Sequence, residues 1–153
     1  MRTRHCFRFW PAFLLVALGC SSDGGTEPNP ATLEDLAGTW SIEQWNWSLA
    51  PSGEGPVDWV ATMGLSGALT VTASGEFSVT PALPGGFAHD FGTLTLQGDS
   101  LYWNGENDEE WVRFTLAGTT LTLVWPEAEV VDIDQDGTPE DGYLRVSLRR
   151  SQS

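Results

Sequence analysis

The amino-acid sequence predicts an all-β domain, an antiparallel up-and-down barrel of about eight to ten strands, preceded by a signal peptide and a flexible tether. Three observations lead there. Beyond Gly38, apolar and polar residues alternate with a period of two in short runs, the pattern of strands with one buried face. Tight, glycine-bearing joints separate the runs, as antiparallel hairpins require. At the start of the chain, a basic head and a short apolar run precede a small residue and a cysteine.

Residues 1–19 read as the signal peptide. Arg2, Arg4 and Arg8 form its basic head, and the apolar run from near Phe9 to Gly19 is too short for a bilayer core, which takes about twenty helical residues. The run ends in Ala17-Leu18-Gly19-Cys20. This ending resembles the lipobox of bacterial lipoproteins, which closes on a small residue and an obligatory cysteine. Gly19 and Cys20 match it, while Ala17 stands where leucine is commonest. The resemblance implies acylation of the Cys20 sulfur and cleavage that leaves Cys20 as the mature N-terminus. An ordinary secretory signal needs small residues at its cleavage site but no thiol there. Membrane attachment would then come from the lipid anchor, each buried methylene contributing about 0.8 kcal/mol, without a spanning helix. By the same resemblance Ser21, not being Asp, implies a place in the cell envelope at the outer membrane.

From Cys20 onward 134 of the 153 residues remain, the size of one domain with one core. Without the signal, four arginines (Arg113, Arg145, Arg149 and Arg150) and no lysine stand against 21 acidic residues, a formal charge of −17. Such a surface repels phosphate backbones and anionic headgroups, which argues against nucleic acid as a partner and against electrostatic docking on lipid. Cys6 lies in the signal and the resemblance makes Cys20 the acylation site, so no pair would be left for a disulfide. Packing alone must hold the domain, and a monomer of this length can bury enough apolar surface to do so.

Residues 20–31 form the tether, because Ser21 to Pro30 contains turn formers and no apolar residue. The barrel domain follows at 32–153. Thr32 suits the N-cap of one helical turn over Leu33-Glu34-Asp35-Leu36-Ala37. Strand runs then follow from Trp40 to Leu49 and from Trp59 to Met63. The alternation continues through Leu69 and Val71, Phe77 and Val79, Leu94 and Leu96, and Leu101 and Trp103. Val112-Phe114-Leu116, Leu121-Leu123-Trp125 and Leu144-Val146-Leu148 complete it at the same period. The joints Thr72-Ala73-Ser74-Gly75, Gln97-Gly98-Asp99 and Ala117-Gly118-Thr119 each supply a residue able to take positive φ. The first strand changes parity, since Trp40 and Ile42 are even while Trp45, Trp47 and Leu49 are odd. A bulge or bend near Glu43-Gln44 would reconcile its halves; otherwise Trp45 and Trp47 make an outer aromatic patch near Trp59.

Gly38-Thr39-Trp40 at the head of the first strand resembles the Gly-x-Trp signature of the lipocalin fold, in which the tryptophan packs under an arginine from the last strand. Arg150 shares parity with Leu144, Val146 and Leu148, so the resemblance makes Trp40 and Arg150 the pair at the barrel base. A cation–π contact of this kind contributes about 0.5–2 kcal/mol. The Thr-Asp-Tyr cluster of true lipocalins is absent, so the resemblance bears more on fold than on ligand carriage.

Two segments invite a chemical reading. Asp132, Asp134 and Asp136 followed by Gly137 have the spacing that opens a calcium loop, with Glu140 as a late ligand, but Tyr143 holds the twelfth position in place of a bidentate Glu. A weak calcium site and a solvated hairpin loop both fit. His89 beside Asp90 could orient a base, yet no nucleophile or second mature histidine can be placed with it, and Glu106 to Glu110 read as a charge run in a turn. No enzyme is expected, and no cofactor beyond calcium. The leading expectation is binding of a small apolar ligand inside the barrel, with Trp103, Phe114, Trp125, Leu96 and Leu123 as its lining. The alternative is a structural or protein-interaction lipoprotein with a packed interior, meeting an envelope protein through its surface.

Overall fold

A computed structural model describes residues 31–49, 57–83, 85–132 and 140–152. Its elements run α1 (Leu33–Leu36), β1 (Gly38–Ser48), β2 (Val57–Asp58), α2 (Trp59–Met63), β3 (Ser66–Val71) and β4 (Glu76–Leu83). They continue with β5 (Gly86–Phe87), β6 (Asp90–Gln97), β7 (Ser100–Gly105), β8 (Glu109–Ala117), β9 (Thr120–Val131) and β10 (Glu140–Arg150). Eight strands pair antiparallel in the order β1-β3-β4-β6-β7-β8-β9-β10, and β10 returns to pair with β1. The result is a closed up-and-down barrel, as the alternation predicts; the two-residue strands β2 and β5 attach to β1 and β4.

The strand faces follow from the period of two. Leu69, Val71, Leu94, Leu101, Val112, Leu121, Leu123, Val146 and Leu148 are all buried, while their neighbours Thr70, Thr95, Arg113 and Arg149 face water. In β1 the register against β10 shifts between Ile42 and Gln44, the bulge that the parity change requires. Trp47 is therefore buried and Trp45 half-buried; no outer patch forms from them. The run Trp59–Met63, expected as a strand, is instead the short helix α2. Asp58 caps it by accepting from the Val60 N–H at 2.9 Å, and Gly64 ends it in the left-handed region at φ 70°.

The two ends of the barrel differ. At the base, β6–β7 and β8–β9 turn through the two-residue joints Gly98-Asp99 and Gly118-Thr119, with Gly98 and Gly118 at φ 64° and 60°. The β3–β4 joint lies at the same end, and Gly75 there leaves room only for hydrogen: a Cβ would stand 2.8 Å from the Leu94 carbonyl oxygen and 3.1 Å from Leu33. The connections β1–β3, β4–β6, β7–β8 and β9–β10 all run at the opposite, open end.

Helix α1 closes the base. Thr32 and Asp35 form a capping box, and Leu36 is fully buried beneath the strands. Trp40, also fully buried, donates from Nε1 to the Leu36 carbonyl at 2.8 Å. Arg150 lies directly opposite Trp40 in the β1–β10 register, with its guanidinium carbon 4.2 Å from the indole centroid. The same guanidinium donates to the Ala37 carbonyl at 2.6 Å and to the Asp35 carbonyl, satisfying acceptors at the helix end. Gly38 has φ 136°, and a Cβ there would sit 3.0 Å from Arg150 Nη1.

Because Arg150 combines ring stacking with two charge-assisted hydrogen bonds, Arg150→Ala is expected to lower unfolding stability by about 2–4 kcal/mol. Arg150→Lys should recover only part of this, since an ammonium cannot span both carbonyls while covering the ring. Urea denaturation of the three proteins, followed by circular dichroism, measures the difference.

Candidate functional site

Above the packed base the open end holds a cavity of about 760 Å³, open to solvent on one side. Five tryptophans line it: Trp45, Trp47, Trp59, Trp103 and Trp125. Each has a traceable cause. The β1 bulge turns Trp45 and Trp47 inward. The capped start of α2 sets Trp59 against Trp47, ring centroids 5.7 Å apart. Inward positions on β7 and β9 bring Trp103 and Trp125 together edge-on at 5.7 Å, and Phe77 packs against Trp103 at 3.9 Å.

Asp90 holds this end together. Its Oδ2 accepts from Trp103 Nε1 at 2.8 Å, fixing the indole. Its Oδ1 accepts from the backbone N–H groups of Glu106 and Asn107 at 2.9 and 3.2 Å, which ties the β7–β8 turn to β6. Asn107 Nδ2 adds a bond to the His89 carbonyl at 3.0 Å. Gly105 must be glycine here, because any Cβ would run into the Asp90 carboxylate. His89 itself is exposed, shares a hydrogen bond with Ser78 Oγ at 3.2 Å and lies against the Phe91 ring.

The rim is acidic. Asp108, Glu109 and Glu110 join Asp90 and His89 in the lining, and neither arginine nor lysine does so among the described residues. Burial and the neighbouring Asp108 charge push the Glu110 carboxyl above its ordinary range, while a hydrogen bond from the Trp125 side chain works against them. Two wall residues keep unused donors: the indole N–H groups of Trp45 and Trp47 are buried and find no acceptor among the described residues.

The structure divides the expected lining residues between cavity and core. Trp103 and Trp125 do face the cavity. Phe114 and Leu123 instead are buried within the core, and Leu96 packs half-buried against it, so these three belong to the filled part of the barrel. Strand parity placed them inside but carries no information on height along the barrel axis. Trp45, Trp47 and Trp59 take their place. The parity change in β1 was the signal for the first two; Trp59 became legible only with Asp58 acting as a helix cap. The acids 108–110, read as a charge run in a turn, form the rim.

Trp40 and Arg150 sit at the base, away from the cavity. Cys20, Asp134 and Asp136 lie outside the described residues; Asp132 follows β9 and Glu140 opens β10. Among the described residues no three His, Cys, Asp or Glu side chains converge as a metal set. No family model, curated protein or solved structure matches this chain.

The raised Glu110 carboxyl makes a signed prediction. A group that protonates more readily in the folded state favours folding below its unfolded pKa, and this contribution is lost as pH rises through the higher folded value. Glu110 shares the lining with Asp108, Glu109, Asp90 and His89, and neither arginine nor lysine joins them among the described residues to reverse the sign. Glu110→Gln is therefore expected to melt at higher temperature than the parent at pH 7. The two should converge below the ordinary glutamate range, and melting curves from pH 3 to pH 8 record both arms.

Proposed function

We propose that the protein is an envelope lipoprotein, anchored through acylated Cys20, whose barrel binds a small, largely apolar ligand in the open-end cavity. The observation that carries the binding half is the cavity itself, a tryptophan-lined space of about 760 Å³ beyond a tightly filled base. That volume lies within the roughly 300–1,000 Å³ of small-molecule sites, and aromatic lining with a few polar groups is their usual composition. A wholly packed interior would favour the interaction reading, but the fully buried Leu69, Leu101, Leu121, Leu123 and Leu148 are not among the residues lining the cavity. The anchoring half rests on Gly19-Cys20 and the polar segment after them.

Two measurements test the two halves separately. A neutral apolar fluorophore such as N-phenyl-1-naphthylamine is expected to bind stoichiometrically and quench tryptophan emission. Val79→Trp, which places a large ring on a half-buried wall position, should abolish that binding and leave the fold intact. The absence of saturable binding to the folded protein would move the reading to an interaction lipoprotein. For the anchor, intact-mass analysis should find acyl chains on the parent and none on Cys20→Ser, which then partitions into the aqueous phase; an unmodified thiol on Cys20 would refute it.

A further inference from the structure

The proposed binding reading leaves the ligand's charge open, and the cavity's electrostatics bear on it. Among the described residues the rim carboxylates Asp108, Glu109 and Glu110 have no cationic partner, Glu109 accepting from the neutral Tyr102 hydroxyl at 3.2 Å. The four arginines after the signal are elsewhere: Arg150 is at the base, Arg149 pairs with Glu43 on the outside at 3.2 Å, and Arg113 and Arg145 are exposed on the barrel exterior. Carboxylates beside a low-dielectric aromatic wall focus negative potential into the opening. Tryptophan faces add to it, since the ring quadrupole attracts a cation most strongly where water is displaced.

Among the described residues the carboxylates do not converge as ligands of a metal ion do, and the tryptophan-lined space suits an organic body. A second observation is the wall itself. Trp47 is nine-tenths buried, at 9% exposure, and stands 5.7 Å from Trp59, while Trp103 stands 5.7 Å from Trp125, so two pairs of rings are held in place around the space. Fixed aromatic faces suit an apolar body that carries a cationic end.

We infer that the cavity selects an organic cation, a molecule whose apolar body lies among the tryptophans and which ends in an amine or quaternary ammonium group at the acidic rim. Fatty acids and other anionic amphiphiles are disfavoured by the same field. The inference rests on the cavity being a binding site and adds its chemical class.

The test uses three dansyl probes that share one ester-linked alkyl body and end in trimethylammonium, hydroxyl or carboxylate. At low ionic strength the cationic probe is expected to bind the parent at least tenfold more tightly than the neutral one, and the anionic probe most weakly. Replacing the rim acids together (Asp108→Asn, Glu109→Gln, Glu110→Gln) should level the three affinities. Single Glu110→Gln should lose part of the preference, which keeps the test decisive if the triple variant fails to fold. Equal affinities of the parent for all three probes would overturn the charge assignment and leave the binding reading intact. If none binds the folded parent, the binding reading fails as well.

Discussion

One contact fixes how the two ends of this barrel differ. Arg150, the last residue of the last strand, lies on Trp40 near the start of the first and reaches past it to the carbonyls of α1. It ties together strand closure, the helix plug and the buried indole beneath them. With Leu36 and Trp40 fully buried there, the base is filled by packing. The two-residue joints β6–β7 and β8–β9 share that end.

The open end depends on irregularity. A regular β1 would have carried Trp45 and Trp47 to the exterior, opposite to Trp40 and Ile42; one register shift sends all four inward. Asp58 then serves twice, capping α2 through the Val60 backbone N–H and accepting from the Trp45 backbone N–H at 3.4 Å, so the bulged strand and the helix are set by one carboxylate. On the facing side Asp90 orients Trp103 and holds the β7–β8 turn. The aromatic wall is thus positioned by two acids whose hydrogen-bonding capacity is largely taken up by protein donors. Among the rim acids, Glu110 accepts from the Trp125 side chain and Glu109 from the Tyr102 hydroxyl at 3.2 Å.

How much of this the sequence disclosed follows from which physical signals are local. Period-two runs such as Leu121-Leu123 and Leu144-Val146-Leu148 state their buried face outright, and Thr32 and Asp35 announce a capped turn within four residues. The base pair Trp40 and Arg150 was reachable because strand parity and a short signature agree. The site was harder. Phe114 and Trp125 have the same parity relation to their strands, yet one is part of the filled core and one lines the cavity, because height along the axis is set by strand stagger. The five mostly apolar residues from Trp59 to Met63 fit either period, and only the Asp58 cap and Gly64 decide for a helix.

The closure of β1 on β10 also orders events in time. Hairpins such as β6–β7 and β8–β9 join residues a few positions apart, whereas Arg149 and Glu43 are 106 positions apart and Arg150 and Asp35 are 115 apart. The entropy of closing so long a loop makes the seam the slowest pairing to nucleate, while the local hairpins zip early. Until it forms, β1 and β10 each carry an unpaired edge able to recruit strands from other chains. A single buried indole waiting for its guanidinium therefore marks the boundary between an aggregation-prone open sheet and a barrel with no edges to offer.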